Sequence, residues 1–120
     1  MSFSQNQNLE WTAESFFIVA NGTDVELTSN LTKQGATFIW EQIGYNTSDT
    51  STFTITATSG NWNSQDNLGE LNYNLTLEEL SANLTISGTE EGVTAILHIN
   101  GADAGSPDIY TFNIETLTNL

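Results

Sequence analysis

Trp62 stands in the polar stretch 60–70, with Asn61, Asn63, Asp66 and Asn67 close around it. An indole exposed in such a stretch stacks on the flat apolar face of a sugar ring, while nearby amides and carboxylates bond the hydroxyls. These five residues are therefore the expected ligand contacts. Tyr45, just ahead of the polar stretch 46–51, extends the expected rim. A tryptophan folded back over the core is the competing reading of the same position. Trp11 and Trp40 lie in or beside apolar alternations and read as core.

Oxygen donors gather in the same stretch and in a second one, 100–108, which carries Asn100, Asp103 and Asp108. Calcium takes six to eight such oxygens. Asp66, Glu70, Asp103 and Asp108 are the expected calcium ligands, without the regular spacing of an EF-hand loop. No other cofactor is expected.

The catalytic palette is thin. His98 is the only histidine and there is no cysteine, so neither a zinc site nor a thiolate nucleophile can be assembled. No G-x-S-x-G stretch supports a serine triad. Lys33, in Thr32-Lys33-Gln34-Gly35, reads as a wet turn residue, whereas a Schiff-base lysine has to be desolvated. The carboxylate pairs are Glu78-Glu79, Glu90-Glu91 and Asp103/Asp108. Hydrolysis of a glycoside needs two carboxylates facing across a cleft, and adjacent strand residues point to opposite faces. Glu90-Glu91, between Gly88-Thr89 and Gly92, reads as a solvated hairpin tip. Binding is expected over catalysis.

The charge balance excludes further classes. One Lys, no Arg and 15 carboxylates give a net charge of −14. Phosphate backbones are held by clusters of Lys and Arg, and one Lys makes no cluster. Nucleic acid is therefore not an expected partner. Like charges without partners repel, and salt screens them over about 10 Å at 0.1 M, so added NaCl is expected to raise the melting temperature. Residues 1–8 are polar and read as a flexible N-terminal segment without signal-peptide character. No run approaches the ~18 apolar residues of a membrane-spanning helix. The compartment is not readable.

The elements that must position these residues repeat with a period of two. Residues 52–58, 70–77, 93–99 and 110–114 alternate apolar with Thr, Asn or His, the mark of antiparallel strands with one buried face. Less regular strands are expected at 14–20, 24–32, 36–43 and 83–87. Ser15-Phe16-Phe17-Ile18-Val19 is apolar on both faces, which places it centrally or under another layer. A helical turn within 9–17 is the alternative there. Asn21-Gly22 and Asn100-Gly101 carry the strongest hairpin signal, because a type I′ turn needs positive φ at both central residues. Pro107 precedes the last strand, where its missing N–H costs little. The expected fold is all-β, with residues 1–120 as one domain. It is an antiparallel β-sandwich or a small meander β-barrel of about seven to eight strands.

Three functions fit. The first is a non-catalytic module binding a neutral, hydroxyl-rich ligand such as a glycan around Trp62, with calcium assisting. The second is a structural or self-assembling coat or surface protein, forming homo-oligomers. The third is a small barrel carrier or cyclase whose pocket is lined by Phe16, Phe38, Phe53, Tyr73 and Phe112.

Overall fold

The computed structural model describes residues 9–44, 47–63, 65–100 and 108–119, with the side chains of Thr47 and Asp108 left aside. Eight strands follow in order: β1 (Trp11–Ala20), β2 (Thr23–Gln34), β3 (Thr37–Gly44), β4 (Thr47–Asn63), β5 (Leu68–Leu77), β6 (Leu80–Thr89), β7 (Gly92–Asn100) and β8 (Asp108–Asn119). Each pairs antiparallel with the next, and β8 returns to pair with β1, closing a barrel. Closure removes the two open edges that a sandwich would leave to each sheet. The expected helical turn within 9–17 is absent, because β1 runs as a strand from Trp11.

Period-two patterning decides which side chains enter the barrel. Ala82, Leu84 and Ile86 of β6 are buried, while the alternate residues Ser81 and Asn83 are exposed. The same parity sends Leu71, Tyr73 and Leu75 of β5 inward, with Ala95 and Leu97 of β7 and Phe112 of β8. An eight-stranded barrel has an interior just wide enough for side chains to fill. Here rings fill much of it. Centroids lie 6.3 Å apart for Trp11–Phe38, 5.8 Å for Phe38–Phe53 and 5.2 Å for Trp40–Phe112. The two buried indoles also satisfy their N–H groups. Trp11 Nε1 donates to the Tyr73 hydroxyl at 3.1 Å, and Trp40 Nε1 donates to Ser29 Oγ at 3.0 Å.

The turns follow their residues. Asn21 and Gly22 both take positive φ, 51° and 85°, as the β1–β2 hairpin requires. Glu78-Glu79 and Glu90-Glu91 form the exposed tips of the β5–β6 and β6–β7 hairpins. Gly101 and Pro107 lie outside the described residues.

Irregularities in β1 and β4 shape the surface, including a register shift between Ile55 and Ala57 that reverses the inward phase of β4. In β1 the register shifts between Ser15 and Ile18 against both neighbours. Ile18 is buried, but Phe16 and Phe17 are exposed to solvent rather than lying under a second layer. A bulge of this kind adds a residue on one strand and turns its side chain outward. β4 is also unusually long. Its pairing with β3 ends at Thr37↔Thr54, whereas its pairing with β5 continues to Asn63↔Leu68. The β4–β5 hairpin thus outruns β3 at one end of the barrel.

Candidate functional site

The extension of the β4–β5 hairpin holds most of the expected ligand contacts. The stretch 60–70 is no open loop: residues up to Asn63 belong to β4, and β5 resumes at Leu68. Alternation continues through it. Asn61 and Asn63 are exposed, while Trp62 between them is half-buried and packs against the core cluster. Trp62 pairs across from Gly69, and Gly69 in turn from Gly88. These glycines form a side-chain-free floor under the indole. A Cβ on Gly88 would meet Trp62 Cη2 at 2.9 Å and would collide with the Asn67 carbonyl oxygen. Gly88 is therefore what lets the ring and the hairpin turn settle over this end of the barrel. Trp62 Nε1 is buried there with no hydrogen-bond partner among the described residues.

The polar neighbours point elsewhere. Asn63 Nδ2 donates to Asp66 Oδ2 at 3.3 Å, and the Gln65 N–H donates to Asn63 Oδ1 at 2.9 Å, so both side chains build the turn. Asn67 takes φ of 54° to close it and accepts at Oδ1 from Asn119 Nδ2 at 3.3 Å. Short amide side chains tolerate that left-handed conformation and stabilise turns by such bonds. Asn61, Asn63 and Asp66 thus lie on the solvent side of a hairpin whose indole faces the core. Tyr45 lies outside the described residues.

The calcium donors are not brought together within what is described. Asp66 is at the hairpin tip. Glu70, exposed on β5, accepts at Oε1 from Asn72 Nδ2 at 3.0 Å. Asp103 and the side chain of Asp108 fall outside the described residues. Among the described residues no group of three or more His, Cys, Asp or Glu is placed to hold a metal ion.

Lys33 differs most from expectation. It is no wet turn residue: it lies in β2 between Trp11 of β1 and Phe38 of β3, and it is 1% exposed. Parity explains this, since Ser29, Leu31 and Lys33 are alternate residues on one inward face. That pattern is present in the sequence, where the charge of Lys33 and the following Gly35 mask it. Burial pushes the Lys33 amine below its ordinary pKa, and the nearby Glu10 carboxylate opposes that shift. Glu10 also accepts the Gly35 N–H at Oε2, 2.9 Å away, and so fixes the β2–β3 turn. A groove of about 440 Å³ opens beside this turn, lined by Glu10, Gly35, Ala36 and residues 55–58. Lys33 does not line it. The side chain is buried as a Schiff-base lysine's would be, but its cross-strand neighbours are Trp11 and Phe38, and the charge acting on the amine is the Glu10 carboxylate.

Tyr73, also fully buried, has its hydroxyl pKa raised by burial, with the Trp11 N–H donated to it acting against that rise. Four of the five aromatics expected around a carrier pocket, Phe38, Phe53, Tyr73 and Phe112, are buried in the core cluster. Phe16 is on the outside. His98 faces outward from β7, between Asn83 of β6 and Ile109 of β8, with Nε2 buried and without a hydrogen-bond partner among the described residues. No acid or base stands beside it in either cross-strand position.

No helix among the described residues is long and apolar enough to cross a membrane. No family model matches the chain, and it matches neither a curated protein nor a solved structure.

Proposed function

We propose that this chain is a non-catalytic structural module, a filled β-barrel that assembles with copies of itself. The observation that carries this reading is the direction of the chemically versatile side chains. Lys33, Trp11, Trp40 and Tyr73 are buried, and Trp62 packs on the core. The outer positions are left to Thr, Asn, Ser and carboxylates, with a few large hydrophobics: Phe16, Phe17, Ile43, Ile96 and Ile109. Catalysis requires positioned acids, bases or electrophiles around a place for substrate. Assembly requires only complementary surface, and exposed large hydrophobics supply its contact area.

The test is the mass of the full chain as a function of concentration. Weight-average mass rising by mass action over about 1–500 µM supports assembly. A constant monomer mass over that range overturns it.

The glycan-binding reading rests on the exposed Asn61, Asn63 and Asp66 at the hairpin end. It lacks a solvent-facing indole to stack on the sugar. Titration of a glycan panel with and without calcium, followed by tryptophan fluorescence in wild type and Trp62→Ala, separates the two. A saturable change lost in the variant favours the glycan.

A further inference from the structure

Trp11, Ala13 and Ser15 are alternate buried residues of β1, so an unbroken strand would send Phe17 inward. The bulge gives that place to Ile18 and leaves Phe17 51% exposed. It is held from inside the barrel: the fully buried Ser15 donates its hydroxyl to the Phe17 carbonyl at 2.9 Å. Bulges of this kind re-aim a side chain and recur beside functional sites.

Here the side chain is aimed at two carboxylates. Phe17 pairs across from Glu26, and Val19 pairs across from Asp24. These four, with Val25 and Asn113, line a groove of about 560 Å³, within the size of small-ligand sites, about 300–1,000 Å³. Asp24 and Glu26 are both exposed. Lys33, the chain's only Lys or Arg, lies at the other end of β2, roughly 23 Å from Glu26 at ~3.3 Å per residue. No Lys or Arg of this chain can therefore neutralise the groove. The groove beside the β2–β3 turn is unlike it, with one carboxylate, Glu10, and no aromatic ring in its lining.

We propose that the groove at the β1 bulge binds a small organic cation with an apolar body, of the aryl-alkyl ammonium class. The inference goes beyond self-assembly and does not depend on it. The lining selects the occupant. Phe17, Val19 and Val25 offer contact area to an apolar body. An ammonium within about 6 Å of a ring face is attracted to it, and Glu26 stands directly across from that ring. Asp24 adds a second carboxylate about 7 Å along the same strand face. Anions are opposed by both groups and by the net charge of −14. A neutral apolar ligand desolvates the carboxylates without replacing what water gave them. A small hydrated cation leaves the apolar wall unused. The groove is open to solvent, so the dissociation constant is about 0.1–1 mM.

The experiment is an amide-resolved NMR titration of the full chain with phenylbutylammonium. It is run in about 0.15 M NaCl, where attraction to the net charge is screened beyond about 8 Å. The expected result is a set of saturable shifts at Phe17, Val19, Val25 and Asn113. Tetramethylammonium and phenylbutanol, which carry the charge or the apolar body alone, bind about fivefold more weakly or less. Phe17→Ser and Glu26→Gln each weaken phenylbutylammonium by about threefold or more. Glu79→Gln removes the same charge at the exposed β5–β6 tip and changes binding by less than about 1.5-fold. The spectrum of each variant also reports whether the barrel is intact, which separates lost binding from lost fold. Absence of saturable shifts up to about 10 mM overturns the site. Equal binding of tetramethylammonium reduces the contact to counterion attraction, equal binding of phenylbutanol removes the role of charge, and equal effects of Glu26→Gln and Glu79→Gln move the ligand off the groove; each overturns the proposal.

Discussion

Replacing Trp62 separates a core cap from a ligand platform. The indole sits over Gly69 and Gly88 and packs against the core cluster. A fully buried aromatic side chain removes about 150–250 Å² from water. For the half-buried Trp62, roughly 120 Å² at about 25 cal/mol/Å² gives about 3 kcal/mol lost in Trp62→Ala. Trp62→Phe behaves differently. It keeps most of the ring contact, giving up about 1 kcal/mol of area. It also removes an indole N–H that is buried without a hydrogen-bond partner among the described residues, and leaving such a donor unsatisfied costs about 1–3 kcal/mol. The net effect of Trp62→Phe is therefore near zero or slightly stabilising. Urea unfolding followed by far-UV circular dichroism reads both. With a slope of about 1.5 kcal/mol/M, Trp62→Ala lowers the midpoint by about 2 M and Trp62→Phe leaves it within about 0.7 M. Two equal, small effects, each under about 0.5 kcal/mol as at an ordinary surface site, would show that the indole stands in solvent and would refute the cap.

Gly88→Ala costs about 2–4 kcal/mol, because its Cβ needs the space of Trp62 Cη2 and the Asn67 carbonyl; part of that cost vanishes in a Trp62→Ala background, measured as a double-mutant cycle. Raising NaCl raises the melting temperature, because 15 carboxylates face a single Lys and screening relieves their repulsion; a flat or falling melting temperature contradicts this. The Lys33 amine titrates below 10.5 in the folded chain, so the unfolded chain binds the extra proton and stability rises with pH from the folded pKa up to 10.5. Lys33→Met removes that rise and is neutral or up to about 2 kcal/mol more stable at pH 7, which denaturant titrations at several pH values would show. Tyr73, with its pKa raised above 10.0, contributes in the opposite sense: its share of stability is complete below pH 10 and is lost as pH climbs through the folded pKa. Glu78 holds φ at 55° in the β5–β6 turn, and Glu78→Gly relieves a left-handed strain of about 1 kcal/mol, partly offset by unfolded-chain entropy; a small rise in melting temperature checks it.

The strands were legible because the barrel buries one face of each, so every second residue had to be apolar. Residues 52–58, 70–77, 93–99 and 110–114 lie within β4, β5, β7 and β8, and the irregular stretches at 14–20, 24–32 and 83–87 lie within β1, β2 and β6. Barrel against sandwich was not legible, since both bury one face and closure depends on β8 reaching β1. The ends of strands were underestimated wherever polar residues faced water, as in β4, where Asn61 and Asn63 made a strand look like a loop. Trp62 is not placed by period either: the alternation Phe53-Ile55-Ala57 points it outward, and the register shift between Ile55 and Ala57 reverses the phase so that Thr58, Gly60 and Trp62 turn inward. Unbroken alternation does place Lys33 inside, two residues after Leu31. For Lys33 the period outweighs the chemistry of the side chain. Phe16 and Phe17 fail the other way: their bulge depends on register against both neighbours, which no local pattern encodes.

The most direct measurement is sedimentation equilibrium of the wild-type chain at low and at high NaCl. A barrel that assembles with copies of itself, with a net charge of −14 on each copy, associates by mass action and more tightly as salt screens the long-range repulsion. A monomer at every concentration and salt level would contradict the account, and a dimer that salt dissociates would show that the contact is ionic.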